Sequence, residues 1–335
     1  MNTQNETTEA ILDPSLILRP AQWSDVEAVA QLIYDACEAD GDTVVAVTPE
    51  ELKNEWQTPG FNLERDAFVV ETKDGRVVGY EEFSNTHEHA ILGTDGYVHP
   101  NFKGCSIGTS LLRTVEKRAL AEMSLADPEV RVSLRSIIDN RDPDSHDLHR
   151  NEGYQPLRYH WRMEIVLDGP PAEPNFPAGI EVRPFLKGEH DVAVWQAQNE
   201  AFRDHWGSHD VTFEDWQHSR FNDPEYNPSL WAIAWDGDEI AGFSLNRYRM
   251  GIGWIRTIGV RRPWRKRGLG EALLLHSFSE FYKRGTKTIG LGVDAQNPTG
   301  ATRLYQKVGM YAASEYVTYE KELRSGREPK EQELE

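Results

Sequence analysis

The stretch that decides the fold reads Val260-Arg-Arg-Pro-Trp-Arg-Lys-Arg-Gly-Leu-Gly-Glu-Ala-Leu273. Five of the seven residues from Arg261 to Arg267 are basic, although the chain of 335 residues has a formal net charge of −19. An apolar run precedes them, and Gly268 and Gly270 bracket the start of an amphipathic pattern. Glycine lets backbone N–H groups approach a ligand closely, and a helix N-terminus is partially positive. The stretch therefore predicts a pyrophosphate site between a strand and a helix, with a solvated surface loop as the alternative.

Two common phosphate motifs are excluded. A dinucleotide fingerprint requires a third glycine, but Leu273 stands at that position. The Gly-x4-Gly-Lys-Ser/Thr motif of P-loop nucleotidases does not occur in the sequence.

The segments around this stretch predict an α+β fold with a mixed sheet. An Asp-Gly pair between two apolar runs indicates a hairpin before it, and helical periodicity with Leu274, Phe278 and Phe281 on one face follows it. The predicted elements are a hairpin turning at Asp236-Gly237, a strand over 253–260, a helix over 269–284, a strand over 288–293 and a helix over 300–307. The strand–helix–strand part is a crossover connection, which places two parallel strands in the sheet.

The same order of motifs occurs twice, roughly 160 residues apart, which indicates a tandem duplication. The matched pairs are Arg19-Pro20 with Arg183-Pro184, Asp74-Gly75 with Asp236-Gly237, 98–112 with 260–274, and 148–153 with 304–309. In the first copy, Ser24 and Glu27 predict a capping box at the start of a helix. We predict a first domain over 1–167, a linker with four prolines over 168–179, a second domain over 180–324 and a polar tail over 325–335.

Composition excludes several classes of protein. Hydrophobic residues make up 39% of the chain, which is too high for a disordered protein. With 55 acidic against 36 basic residues, we expect no nucleic-acid partner and no membrane partner. Two cysteines exclude a disulfide scaffold and a four-cysteine zinc site, and we predict no metal. Residues 1–14 are polar without a signal-peptide pattern, so we expect a cytoplasmic protein.

Two motifs of the second copy resemble the GNAT superfamily of N-acetyltransferases. Arg265-x-x-Gly268-x-Gly270 resembles its acyl-CoA pyrophosphate signature, and the residues from Asn297 to Met310 resemble its second block, with Met310 in place of the usual Phe. The resemblance implies two tandem GNAT (acyl-CoA N-acyltransferase) domains. The tandem layout is similar to that of mycothiol synthase, except that its glutamate on the fourth strand is absent here.

The resemblance also implies a set of site residues in the second domain. Acetyl-CoA is the implied acyl donor, and Tyr305 is the implied general acid for the departing thiolate. The general base is unassigned: Glu200, Asp204 and His205 are the candidates, with a water relay as the alternative. The implied acetyl-CoA contacts are Ile258, Val260, Arg265, Lys266, Arg267, Gly268, Leu269, Gly270, Glu271 and Asn297.

The first copy departs from this pattern. Lys103 stands at the Arg265 position, Ser106 at the Gly268 position and His149 at the Tyr305 position. Because serine disfavours the close backbone approach that a phosphate needs, we expect this domain to serve packing and pocket shape.

The sequence therefore predicts an acetyl-CoA-dependent N-acetyltransferase that acts on a primary amine of a small molecule. The acidic composition fits a cationic amine, and we expect a monomer or homodimer. The alternatives are a non-catalytic acyl-CoA-binding or interaction protein, and a protein or peptide N-acetyltransferase.

Overall fold

A computed structural model describes residues 12–297 and 299–329 and divides the chain into two compact units. Of the described residues, those up to Leu157 together with Thr318–Pro329 form the first unit, and those from Arg158 to Val317 form the second. Each contains helices and a sheet with both parallel and antiparallel strand pairs, so the predicted α+β class with a mixed sheet is confirmed.

The first unit has a sheet in the order β1-β2-β3-β4-β5-β12, in which β4 and β5 are parallel. Its helices and strands are β1 (Leu16–Pro20), α1 (Val26–Asp40), α2 (Pro49–Glu55), α3 (Leu63–Asp66), β2 (Ala67–Thr72), β3 (Val77–His87), β4 (Ile91–Val98), α4 (Ile107–Glu122), β5 (Val132–Asp139), α5 (Pro143–Asn151), the start of β6 (Gln155–Val166) and the end of β12 (Tyr311–Arg324).

The second unit has a sheet in the order β12-β6-β11-β10-β9-β8-β7, in which β10 and β11 are parallel. Besides parts of β6 and β12, it contains β7 (Ile180–Arg183), α6 (Asp191–Phe202), α7 (Phe213–Phe221), β8 (Ala232–Asp236), β9 (Glu239–Arg249), β10 (Ile252–Val260), α8 (Leu269–Lys283), β11 (Thr288–Asp294) and α9 (Ala301–Lys307).

The predicted hairpins and helical faces are present. Gly75 and Gly237 take positive φ at the turns between β2 and β3 and between β8 and β9. On α8, Leu274, Phe278 and Phe281 are buried in one apolar cluster against β11. Local periodicity therefore placed these elements correctly.

The units divide the chain differently from the predicted domains. Residues 160–166 of β6 pair with β11 in the second unit, although they precede the proline-rich segment. The end of β12 lies in the first unit, where Glu320 pairs with Arg131 at 2.6 Å and with Arg135 at 2.9 Å. The last strand of each repeat thus contributes to both units, which composition along the chain does not reveal. Residues 167–179 form no helix or strand.

The predicted capping box of Ser24 and Glu27 is wrong. α1 begins at Val26, and the carboxylate of Asp25 accepts the backbone N–H of Gln22 at 2.8 Å. The guanidinium of Arg19 donates to the same carboxylate at 2.7 and 3.0 Å. This ion pair places the acidic side chain at the helix start two residues earlier than the predicted one.

Both cysteines are free thiols, and Cys37 is buried. No helix in the described parts of the chain is long and apolar enough to cross a membrane.

Candidate functional site

The β10 strand has an open edge towards β11. The two strands are in register only at Gly253 with Ile289 and at Trp254 with Gly290, although β10 continues to Val260. On its other side β10 is paired with β9 along its whole length. Backbone groups after Trp254 can therefore form strand-like hydrogen bonds with an extended ligand.

A β-bulge interrupts β10 where it separates from β11. The register with β9 shifts between Ile255 and Thr257, so Arg256 is the extra residue. In the first unit, the corresponding pair of strands has its shift between Asn85 and His87 on β3 instead. Bulges bend a strand and redirect its side chains, and they are common beside active sites.

The loop after β10 delivers the backbone to the N-terminus of α8. Gly268 is the N-cap residue, with a φ of 85° in the left-handed region, where a side chain would be strained. Glycine suits position 270 for a different reason, because a Cβ there would lie 3.2 Å from the Leu304 side chain of α9. The first glycine thus shapes the loop, and the second permits close packing of α8 on α9.

The five basic residues of the loop fall into two groups. Arg261 pairs with Glu200 at 2.6 Å, and Arg262 and Arg265 both pair with Asp204. Lys266 and Arg267 are exposed, and neither forms an ion pair with another described residue. These two side chains therefore supply the charge that an incoming phosphate would meet first.

The Arg265 side chain fastens the loop to the end of α6. Its Nε donates to the carbonyl of Val260 at 3.0 Å, and its Nη2 donates to the carbonyl of Ala201 at 3.0 Å. Since its Nη1 binds Asp204, each of the three nitrogens of this guanidinium has an acceptor within the protein. The contacts favour a positioning role for Arg265, with the loop amides facing the ligand.

The three candidate bases differ in whether their side chains are able to accept a proton near pH 7. Hydrogen bonds from Arg262 and Arg265 lower the pKa of Asp204 to about 2, which is low for a base working near neutral pH. Glu200 is occupied by Arg261. Burial lowers the pKa of His205, so its imidazole is neutral at pH 7 and able to accept a proton.

Tyr305 lies on α9 with 7% of its surface exposed. Burial raises its pKa to about 12, and its hydroxyl has no hydrogen-bond partner among the described residues. Met310, which stands where the motif usually has Phe, packs in the same apolar cluster as Tyr305. The phenol is therefore protonated and free to donate.

The Asn297 side chain closes the turn before α9. Its Oδ1 accepts the backbone N–H of Thr299 at 2.8 Å and the hydroxyl of Thr299 at 2.6 Å. Its Nδ2 has no partner among the residues that the structure describes, which leaves both of its N–H groups for a ligand. Glu271 pairs through its side chain with Lys307 at 2.5 Å, while Leu269 is buried.

The first unit keeps the loop backbone but not the side chains. Ser106 is the N-cap residue of α4 with a φ of 60°, as Gly268 is for α8. Lys103 pairs with Asp142 at 3.0 Å. The Nδ1–H of His149 donates to the carbonyl of Ser145 at 2.8 Å, and burial lowers the pKa of His149.

Sequence reasoning missed a group of arginines beside the bulge. Arg247 and Arg256 both bind the buried carboxylate of Asp223, and Arg220 lies next to them. The presence of arginines within the mostly apolar strands β9 and β10 is the sequence signal that could have indicated this group.

The model of the Acetyltransferase (GNAT) family matches the chain twice, over residues 30–137 and 192–310. The mycothiol acetyltransferase of Streptomyces scabiei is 28% identical over 300 residues, which are 89% of this chain and 90% of that protein. The mycothiol acetyltransferase of Kineococcus radiotolerans is 31% identical over 256 residues, which are 75% of this chain and 80% of that protein.

Two solved structures are similar over nearly the whole chain. A GCN5-related N-acetyltransferase from Sphaerobacter thermophilus is 37% identical, with a TM-score of 0.79 over 95% of this chain and 99% of that one. A tandem GNAT protein from the clavulanic acid biosynthesis pathway is 16% identical, with a TM-score of 0.72 over 93% and 99%. The second likeness concerns the fold alone. The chain therefore belongs to the GNAT family of acetyltransferases and contains the domain of that family twice.

Proposed function

We propose that the second unit transfers the acetyl group of acetyl-CoA to a primary amine of a small molecule. The observation that carries this proposal is the open edge of β10, with its bulge at Arg256, leading into the glycine-capped N-terminus of α8. An extended pantetheine chain fits such an edge, and a pyrophosphate fits such a helix end.

In this proposal, the backbone of Ile258 and Val260 binds the pantetheine. The amides from Arg265 to Glu271 bind the pyrophosphate, with Lys266 and Arg267 adding charge and Asn297 donating through Nδ2. Arg265 acts on the donor indirectly, because its guanidinium is committed to the protein.

The reaction is a direct attack. The amine nitrogen attacks the carbonyl carbon of the thioester, the C–S bond breaks, and the hydroxyl of Tyr305 gives its proton to the departing sulfur. His205 accepts the proton that the nitrogen loses, directly or through a water molecule. The resulting tyrosinate takes up a proton from solvent and the protonated His205 releases its proton to solvent, so the enzyme returns to its starting state.

The test is a thiol-release assay with acetyl-CoA and a panel of small amines. Replacing Lys266 and Arg267 by alanine is expected to raise the KM for acetyl-CoA about tenfold, or about 1.4 kcal/mol, because two unpaired charges leave the phosphate site. Lys103→Ala, in the first unit, is the matched control and is expected to leave this KM unchanged.

Each other outcome overturns part of the proposal. Binding of acetyl-CoA without turnover on any amine or peptide would indicate a non-catalytic acyl-CoA-binding protein. Turnover on peptides alone would indicate a protein N-acetyltransferase. A larger effect of Lys103→Ala than of the double variant would move the donor site to the first unit.

A further inference from the structure

Three arginines and one aspartate lie together beside the bulge of β10; we call Arg220, Arg247, Arg256 and Asp223 the arginine cluster. Arg220 is on α7, Arg247 on β9 and Arg256 on β10, and Asp223 follows α7. Three guanidiniums therefore lie around the carboxylate of Asp223, in a protein whose net charge is −19.

The carboxylate of Asp223 is used by two of the three arginines. Arg247 donates to it at 2.9 and 3.0 Å, and Arg256 donates to it at 2.5 Å. Arg256 also donates to the carbonyl of Ser219 at 2.7 Å. Asp223 is 8% exposed, so these contacts compensate a buried charge.

Arg220 has no such partner. Its Nη2 donates to Oε1 of Gln198 at 3.3 Å and to Oγ1 of Thr257 at 3.1 Å, which are both neutral. Its Nε is buried without a hydrogen-bond partner, and it forms no ion pair with any residue in the described parts of the chain. The guanidinium is thus half-buried, with its Nε shielded from solvent and unused as a donor.

An unpaired buried guanidinium is costly for the folded protein. Burial lowers the pKa of Arg220 to about 9, with a further contribution from the charge of Arg256. The guanidinium stays charged near neutral pH. An incoming anion there would offset both the cost of its burial and its repulsion from Arg256. Perturbed charges of this kind are concentrated at functional sites.

The position of Arg220 relates it to the reaction that we propose. Its partner Thr257 is the residue directly after the bulge, on the part of β10 that has no register with β11. Along the chain, Asp204 and His205 lie in the segment between the end of α6 and the start of α7. Counted along β10 from the helix end that we assign to the pyrophosphate, Thr257 lies beyond Val260 and Ile258. Arg220 therefore borders the acetyl end of the proposed donor site, where the acceptor must bind.

We infer that the acceptor of the second unit carries a carboxylate as well as its amine, and that Arg220 binds this carboxylate. The inference rests on the proposed function and narrows its substrate class to amino acids and related amino-carboxylates. A single unpaired guanidinium matches a single negative charge, and its planar donors suit the two oxygens of a carboxylate.

The experiment uses the full chain and pairs of compounds that differ in the carboxylate alone: lysine with cadaverine, histidine with histamine, and tyrosine with tyramine. In the wild-type enzyme with acetyl-CoA, the acid of at least one pair is expected to have at least tenfold higher kcat/KM than its amine. Arg220→Gln is expected to raise the KM for that acid at least tenfold and to leave the KM for acetyl-CoA unchanged.

Two further variants separate binding from folding. Arg220→Lys retains the charge without the planar fork and is expected to lose part of the preference for the acid, even if Arg220→Gln is poorly folded. Arg183→Gln replaces an exposed arginine on β7 and is expected to behave as wild type.

Binding is measured without turnover as well, by the shift in melting temperature that each compound causes in the presence of CoA. Stabilisation of the wild type by the acid, but not of Arg220→Gln, supports the inference. Acetyl transfer with equal efficiency for acids and amines overturns the inference and leaves the proposed function standing. Absence of transfer to every compound overturns the proposed function, and equal thermal shifts for both proteins then overturn the inference too.

Discussion

Tyr305 is the residue whose surroundings point most directly to a chemical role. Burial raises its pKa to about 12, so the phenol is protonated throughout the usual assay range. In the proposed reaction, Tyr305→Phe removes the proton that neutralises the departing thiolate, so we expect kcat to fall about 100-fold with the KM for acetyl-CoA little changed. Steady-state kinetics from pH 6 to pH 9 measure both parameters.

The control for this variant is Tyr282→Phe on α8, which is expected to leave kcat unchanged. A Tyr305→Phe enzyme that turns over near the wild-type rate at every pH would exclude the general-acid role. The role would then pass to another group or to water.

Asp204 illustrates how contacts distinguish two roles for one carboxylate. It binds Arg262 and Arg265, and the second of these connects the loop to the carbonyls of Val260 and Ala201. Asp204→Asn removes the charge that orients both guanidiniums. We expect the KM for acetyl-CoA to rise about five- to tenfold, or about 1 kcal/mol, while kcat changes little.

A catalytic base would give the opposite result. If Asp204 accepted the proton of the amine, Asp204→Asn would lower kcat strongly and leave acetyl-CoA affinity intact. Asp238→Asn, at the exposed hairpin turn between β8 and β9, is the matched control for the loss of one carboxylate.

At the scale of elements, the sequence predicted what local chemistry determines. The strand over 253–260, the helix from Leu269 and the strand from Thr288 are found within one or two residues of their predicted bounds. Their signals are apolar periodicity and glycines at sharp turns, which act within a few residues. For the same reason the loop from Arg261 to Gly268 could be located from the sequence alone.

Contacts between distant residues could not be predicted in this way. Arg265 has the position of a phosphate ligand in the sequence, yet its guanidinium binds Asp204, which lies 61 residues away. Asp25 replaced Ser24 at the start of α1 because Arg19 binds it. The arginine cluster joins α7, β9 and β10, and nothing in the local pattern around Arg220 indicates these neighbours.

At the scale of the whole molecule, charge is distributed unevenly between the two units. The arginine cluster lies in the second unit, whereas the first unit has the acidic side chains Glu81, Glu82 and Asp95 on the neighbouring strands β3 and β4. Burial raises the pKa of Glu81 and Glu82 to about 8. The net charge of −19 therefore does not describe the local charge at the arginine cluster or on β3 and β4 of the first unit.

Glu82, a half-buried glutamate of the first unit, gives the protein a pH-dependent stability. Burial raises the pKa of Glu82 first of all, Glu55 adds to the shift, and the carboxyl accepts the hydroxyl of Tyr80 at 2.5 Å. The unfolded chain releases this proton near pH 4.5, and the folded chain retains it to about pH 8. Between these values the unfolded state gains stability as pH rises, so the contribution of Glu82 favours folding at low pH and is lost towards pH 8.

Glu82→Gln tests this dependence, because the amide keeps an acceptor for Tyr80 and cannot ionise. We expect the variant to be more stable than the wild type by about 1 kcal/mol at pH 8, with the difference vanishing or reversing at pH 5. Water screens part of the cost of ionising this half-buried side chain in the folded protein. The gain in stability of the variant is therefore smaller than the pKa difference alone implies. Urea unfolding at both pH values measures it, with Glu173→Gln in the exposed linker as control. A difference between variant and wild type that does not change with pH would show that Glu82 ionises alike in the folded and unfolded chain.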